Sequence, residues 1–246
     1  MIIFTGTGRS GTGFYAKLFD APHEYNAKQL LTLYDEYIPD IKNPITDPFA
    51  DLSKRISFMK TFLQDVNLAV FRDSNNSYIH FLDALHEIEP DVKIVLGVRD
   101  GRDFARSGIT RSYFDETHYG IWSMIPEQDD PYYSKWPDMS PIERMAWMWN
   151  FRNQKALTRL QSVPDNQWMI VRLEDVAAIT QQPNPHIEAM EDFLGLKANT
   201  EWMKVQYNKS EFYSCPPKEQ WTLHMNDTFD QIAGDMMRRF NYEMPV

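Results

Sequence analysis

The 246-residue sequence holds one cysteine, Cys215. A single thiol excludes an internal disulfide and any zinc site built on several cysteines. There is no run of about 18 apolar residues, so no segment reads as a membrane span. No basic region precedes the short apolar start Ile2-Ile3-Phe4, which argues against a signal peptide and makes the cytoplasm the expected compartment. None of the six histidines falls in His-Glu-x-x-His spacing, and no metal is expected. Positive charge is scarce. Lys and Arg number 25 against 35 Asp and Glu, a net charge of −10. That balance argues against a general nucleic-acid binder but leaves room for a local basic pocket. Internal repeats and low-complexity tracts are also missing. The sequons at Asn75, Asn208 and Asn226 read as chance matches to a short pattern.

What is present is ordinary for a folded chain: 43% hydrophobic and 24% charged residues. That rules out a wholly disordered or fibrous protein. The length suits a single domain spanning residues 1–246 with a core of its own. Residues 2–5 read as a strand, 6–13 as a glycine-rich turn and 14–19 as the start of a helix. Leu68 to Phe71 reads as a second strand, and Tyr78 to Ile88 as a helix with Ile79, Leu82, Leu85 and Ile88 on one stripe. Val92 to Val98 is almost wholly apolar, the pattern of a central parallel strand buried on both faces. A helix follows from Gly101. The stretch from residue 113 to 139 reads as a long loop. Ser140-Pro141-Ile142-Glu143 is a strong helix start, with Ile142, Met145, Trp149, Leu157 and Leu160 on the buried side. Trp168 to Leu173 reads as a strand, Asn184-Pro185 opens a helix, and Phe229, Ile232, Met236 and Phe240 mark another. Residues 22–66, with Pro39, Pro44 and Pro48, read as short helices and loops. Strands and helices alternate. This predicts an α/β, P-loop-NTPase-like three-layer domain: a mostly parallel sheet flanked by helices, binding at the carboxyl ends of its strands.

Two motifs sit at such ends. The first runs Gly6-Thr7-Gly8-Arg9-Ser10-Gly11-Thr12-Gly13, between a strand and a helix. Glycines permit the backbone angles that turn successive N–H groups toward an anionic oxygen, and the helix start adds partial positive charge. Arg9 supplies a full charge beside it. Gly6 and Gly11 have the spacing of the nucleotide-hydrolase loop, but Thr12 stands where that loop carries lysine. The loop therefore suits one phosphate-like group better than a triphosphate. The second motif is Arg99-Asp100-Gly101-Arg102-Asp103, with Ser107 eight residues after Arg99. A strand-end guanidinium and a helix hydroxyl are a suitable pair for a phosphate. Arg102 and Arg106, four apart, read equally well as a solvated helix face.

Together, in this order and spacing, the two motifs resemble the sulfotransferases that use 3′-phosphoadenosine 5′-phosphosulfate (PAPS), particularly bacterial, cyanobacterial or phage members. The resemblance implies PAPS as co-substrate and adenosine 3′,5′-bisphosphate as product. Gly8, Arg9, Ser10, Gly11, Thr12 and Gly13 match the loop that cradles the 5′-phosphosulfate. Arg99 and Ser107 match the pair that holds the 3′-phosphate. Leu68 to Arg72 stands where the family has a strand, and Arg72 matches a strand-end lysine. Val171-Arg172-Leu173-Glu174-Asp175 is similar to a recurring strand end, and Trp221 and the last helix to the closing segment. Lys218 is a further candidate for the 3′-phosphate.

Sulfuryl transfer works by positioning and charge stabilisation. Arg9 and the loop amides are suited to stabilising charge on the bridging oxygen. A base must take the acceptor's proton. His23-Glu24 is the candidate pair, with Glu24 placed ahead of His23. Animal cytosolic members use a histidine at the end of the next strand, and Phe71-Arg72-Asp73-Ser74 has none. His80 reads as packing or surface, Cys215 as an inert thiol, and Trp147 and Trp149 as core. The expected acceptor is a small molecule bearing a hydroxyl or amine, with neither nucleic acid nor membrane as partner. Two other readings compete. A small-molecule kinase needs the missing lysine and a metal carboxylate, for which Asp100 is the candidate. A non-catalytic nucleotide-binding protein needs Arg99 and Ser107 but neither Arg9 nor a base.

Overall fold

A computed structural model describes residues 1–25, 28, 30, 33, 51–114, 124–178, 183–204 and 214–244. In chain order its elements are β1 (Ile2–Gly6), α1 (Thr12–Leu18), α2 (Leu52–Phe62), β2 (Arg72–Ser74), a 3-10 helix (Asn76–His80), α3 (Leu82–Ile88), β3 (Lys93–Val98), α4 (Gly101–Thr110), α5 (Pro141–Leu160), β4 (Trp168–Arg172), α6 (Leu173–Ala177), α7 (Pro185–Leu194) and α8 (Leu223–Arg239). Shorter 3-10 turns connect some of them. The described residues fall into two compact units. One is drawn from Met1–Leu30, Asp51–Arg99 and Lys155–Ser210, the other from Asp100–Gln154 and Glu211–Val246.

The first unit holds the sheet. Its strand order is β2-β1-β3-β4, and every pairing is parallel. This is the α/β arrangement expected, a central parallel sheet flanked by helices. Ile2 lies opposite Arg72 and Lys93, and Gly6 opposite Gly97. One face carries Phe4, Val95 and Val171. Onto it pack Tyr15, Leu18 and Phe19 from α1 and its end, and Ile187, Met190 and Leu194 from α7. Each such side chain contributes about 2 kcal/mol by leaving water. On the opposite face Ile3, Ile94 and Leu96 are equally buried.

Gly97 is required by close approach. A Cβ there would stand 2.5 Å from Tyr15 Cε2. The Tyr15 ring fills that space, and its hydroxyl donates to the Val171 carbonyl at 3.4 Å. This seats α1, and with it the preceding loop, against β3 and β4.

The second strand is displaced from the sequence reading. Residues 68–71 form a turn, and β2 is the polar Arg72-Asp73-Ser74. Val70 is 72% exposed, so the apolar run that suggested a strand lies largely at the surface. The expected helix from Tyr78 breaks at Phe81. Asn75 caps a 3-10 turn by accepting from the Ser77 N–H at 2.9 Å, and Phe81 turns inward to stack on Phe58 at 5.0 Å. A buried Arg55–Asp83 pair joins α2 to α3.

In the second unit, α5 starts as expected. Ser140 Oγ accepts from the Glu143 N–H at 3.4 Å, while Glu143 accepts from the Ser140 N–H at 2.6 Å. Trp149 is fully buried against Phe229 and Phe240, and Trp147 is buried too, so both are core residues. Ile142 is only half-buried. Among the described residues no helix is long and apolar enough to cross a membrane. Asn75 and Asn226, two of the three sequon asparagines, are buried, and Asn208 lies outside the described residues.

Replacing Gly97 with Ala drives a methyl into the Tyr15 ring. The expected cost is about 2 kcal/mol, read as a lowered urea midpoint with an unchanged slope. Gly195→Ala is not a suitable control because Gly195 sits at φ 68°. Ala198→Gly, outside any regular element, serves instead.

Candidate functional site

The glycine loop lies at the carboxyl end of β1. Gly8 (φ 81°), Arg9 (φ 53°) and Gly11 (φ 97°) all occupy the left-handed region. Backbone of this kind forms concavities of N–H groups. Gly11 is doubly constrained, because a Cβ would also meet Leu173 Cδ1 at 2.5 Å. Leu173 therefore closes one side of the loop, which accounts for the strand-end segment 171–175 found in the sequence. Arg9 has no such freedom, and an L-residue in that region costs about 1–2 kcal/mol. Its carbonyl accepts a hydrogen bond from Arg99 Nη1 at 3.2 Å. Arg99 immediately follows β3, so the ends of β1 and β3 bring two arginines together. Ser10 is buried beneath the loop. Its Oγ would be 2.1 Å from a Cβ at Gly6, and among the described residues it has no hydrogen-bond partner.

His23 reaches the same loop, with Glu24 beside it. Residues 22–24 run alongside β2 as an added parallel bridge. The Ser74 N–H donates to the Pro22 carbonyl at 3.0 Å, and the Glu24 N–H donates to the Ser74 carbonyl at 3.1 Å. The Ser74 hydroxyl donates to the Thr12 carbonyl at 2.7 Å. His23 Nε2 hydrogen-bonds Thr12 Oγ1 at 3.2 Å, and Glu24 Oε1 lies 4.0 Å from the same nitrogen. The imidazole stands over the start of α1, 3.8 Å from where a Cβ on Gly13 would lie. β2 carries no histidine, but His23 is held beside its last residue by backbone pairing.

Asp73 was not anticipated. It is fully buried, accepting from the Tyr78 hydroxyl at 2.8 Å and the Tyr25 N–H at 3.1 Å. Burial pushes its carboxyl above the usual range, offset only in part by these hydrogen bonds. Arg72, by contrast, starts β2 opposite Ile2, and its Nη1 donates to the Phe19 carbonyl at 3.3 Å. Four residues of register separate it from Gly6, about 13 Å along the sheet. It does not match a strand-end cation at the loop.

The second unit corrects two readings. Lys218 is not placed as a phosphate ligand: its Nζ bridges Asp100 and Asp103, 2.9 Å from each. Arg102 is not on a solvated face. It is buried, bidentate on Asp100 at 3.0 and 2.8 Å, and donates to the Glu243 carbonyl. Asp100 also caps α4 through the Arg102 N–H. With two cations and a helix end on it, this carboxylate has a structural occupation and is a poor metal ligand. Ser107 is buried on α4, and its Oγ accepts from Arg111 Nη1 at 2.7 Å. Cys215 is buried, which pushes its thiol pKa up, away from nucleophile character. Among the described residues no group of three or more His, Cys, Asp or Glu is placed to hold a metal ion.

Several solved structures share this architecture. A sulfotransferase domain from the curacin biosynthetic pathway matches with a TM-score of 0.53 at 14% identity, covering 100% of this chain and 98% of that one. The sulfotransferase domain of a Synechococcus olefin synthase matches at 0.51 and 16%, covering 99% and 94%. A sulfotransferase from Mycobacterium avium matches at 0.57 and 11%, covering 99% and 77%. No family model matches the sequence, and no curated protein does. The chain has the sulfotransferase fold, itself P-loop-NTPase-like, as the resemblance in its motifs implied.

Burial pushes the Asp100 carboxyl up, but the hydrogen bonds and charges of Arg102 and Lys218 more than offset this and leave it below the ordinary 3.8. A lowered carboxylate pKa stabilises the fold above the unfolded value and ceases to do so as pH falls through the folded one. Asp100→Asn is therefore expected to cost about 3 kcal/mol near neutral pH. In chemical denaturation, variant and parent should converge as the pH falls below 3.8.

Proposed function

We propose that this protein transfers a sulfuryl group from PAPS to a hydroxyl or amine of a small-molecule acceptor. The observation that carries the reading is the convergence of Arg9 and Arg99 on the left-handed glycine loop, with Arg99 gripping the Arg9 carbonyl. The Arg9 guanidinium and a loop in left-handed backbone suit a dianionic phosphosulfate, with Arg99 left for the 3′-phosphate. Thr12 replaces the lysine that a triphosphate needs, and Asp100 is occupied by Arg102 and Lys218. Both points weigh against the kinase reading.

In the proposed reaction the acceptor oxygen or nitrogen attacks sulfur in line with the bond to the bridging phosphate oxygen. The new bond to sulfur forms as that S–O bond breaks, and adenosine 3′,5′-bisphosphate leaves with the bonding electrons. Gly8, Ser10, Gly11, Thr12 and Gly13 hold the 5′ end through backbone and hydroxyl donors. Arg9 stabilises the charge developing on the bridging oxygen, a role that electrostatic preorganisation favours. The acceptor's proton passes to the His23–Glu24 pair. Its geometry supports His23 as the group nearer the loop, since Nε2 touches Thr12, with Glu24 beside it. For the 3′-phosphate the proposal keeps Arg99 and Ser107, on their sequence spacing alone. The likeness to sulfotransferase domains of the curacin pathway and of an olefin synthase makes biosynthetic intermediates the first acceptors to screen.

Adenosine 3′,5′-bisphosphate at about a hundredfold excess over its Kd is expected to stabilise the protein by about 2.7 kcal/mol, read as a raised Tm. Neither 5′-AMP nor ATP with Mg²⁺ should match it, and Arg99→Ala should abolish the shift. Stabilisation by ATP with Mg²⁺ alone points to phosphoryl transfer and ends the sulfotransferase reading. Binding of PAPS without turnover on any hydroxyl or amine acceptor favours the non-catalytic one.

A further inference from the structure

β2 is a three-residue strand whose middle residue is a fully buried aspartate. A carboxylate at a sheet position opposite Ile3 is costly to bury, and an apolar side chain there would pack without that cost. Both of its oxygens are in use. Oδ2 takes the hydroxyl of the buried Tyr78, and Oδ1 takes the backbone N–H of Tyr25. The second bond reaches out of the strand to the segment that carries His23 and Glu24. Tyr25 is further fixed by its ring, edge-on to Phe71 at 5.4 Å and to Phe62 at 6.3 Å. Between the Tyr25 anchor and the Ser74 bridge lies Glu24 at φ 57°, a conformation that persists only where its surroundings hold it. The segment is thus pinned on both sides of the bend, by Ser74 before it and by Asp73 after it. Where it is pinned, His23 Nε2 reaches Thr12.

We propose that Asp73 is a positioning residue: its buried carboxylate ties Tyr25 to Tyr78 and so fixes His23 and Glu24 at the edge of the glycine loop. Asp73 does not itself take the acceptor's proton, because both its oxygens are engaged and buried. The charged or titratable groups around it are Tyr78 on the following turn and His23 and Tyr25 on the paired segment. This inference rests on the sulfuryl-transfer reading, and it names what keeps the proton acceptor in place.

The test uses the full chain with Asp73→Asn and Tyr78→Phe. Asparagine keeps the shape but has one acceptor oxygen: with Oδ1 on the Tyr25 N–H, its NH2 faces Tyr78, whose hydroxyl must turn from donor to acceptor, and the charged link between the two is lost. Phenylalanine removes only the Tyr78 hydroxyl and leaves Tyr25 on Asp73, so it is the milder lesion if Asp73→Asn does not fold. The first readout is independent of activity: the imidazole cross-peak of His23 in a ¹H–¹³C spectrum, identified by its loss in His23→Ala. It is expected to move in Asp73→Asn, and less far in the same direction in Tyr78→Phe, while that of His186 stays in place. A folded Asp73→Asn protein with an unmoved His23 signal overturns the proposal.

The second readout is PAPS turnover with water as acceptor. Asp73→Asn is expected to lower kcat about tenfold or more and to leave KM for PAPS within about twofold. The same substitution in a His23→Ala/Glu24→Gln background should cost nothing further, because there is no base left to misplace. An equal fractional loss in both backgrounds shows that Asp73 acts on the fold at large and overturns the positioning role. Failure of adenosine 3′,5′-bisphosphate to stabilise the parent overturns the transfer reading instead, and the His23 signal still decides where Asp73 acts.

Discussion

Tyr15 and Gly97 cannot both carry side-chain atoms in the same place, and the site is built on that exclusion. The Tyr15 ring lies where a Cβ of residue 97 would be, so α1 seats directly on β3. The loop between β1 and α1 is short, and seating α1 fixes both of its ends. Its middle must then reverse through Gly8, Arg9 and Gly11 in left-handed backbone. Burial of Tyr15 supports this arrangement in a second way. Desolvation, and then the nearby Glu174 and Asp175, push its phenol far above the ordinary value, so the ring stays neutral and its hydroxyl remains a donor to Val171.

The loop places an arginine at an unfavourable φ, and the neighbouring strand end answers it. Arg99 holds the Arg9 carbonyl, so the strain is local and compensated. Asp100, the next residue, turns the other way in chemical terms. It gathers Arg102 and Lys218 and caps α4. Adjacent residues of one motif thus divide between the glycine loop and the frame of α4, a division that the string of charges does not reveal.

The His23–Glu24 segment is held by backbone pairing. β2 ends at Ser74, whose N–H, carbonyl and hydroxyl each take a different partner: Pro22, Glu24 and Thr12. One serine therefore joins the strand, the His23–Glu24 segment and the start of α1. Beneath it Asp73 ties Tyr25 to Tyr78. These polar contacts make the region specific rather than merely cohesive, since each fixes one donor on one acceptor.

The sequence by itself determined the strands β1 and β3, the loop between β1 and α1, Arg99 at a strand end, and the helix starts at Ser140 and Asn184. All of these rest on local signals: apolar runs, glycine spacing, and caps that bond within three residues. Tertiary structure alone decided where β2 lies. Its residues are polar, with Asp73 and Ser74 buried, so hydrophobic patterning pointed instead to Leu68 to Phe71, whose Val70 is exposed. It also decided that Lys218 serves Asp100 and Asp103 rather than a phosphate, a pairing across 118 residues that no local pattern encodes. The same holds for His23, which meets Thr12 only because residues 22–24 pair with Ser74, 51 residues away in the sequence between His23 and its bridge partner. Backbone angles and apolar periods are properties of neighbours in the chain. Which buried polar group finds which partner depends on the whole packed sheet, and it is settled only when the alternatives are left without a hydrogen bond.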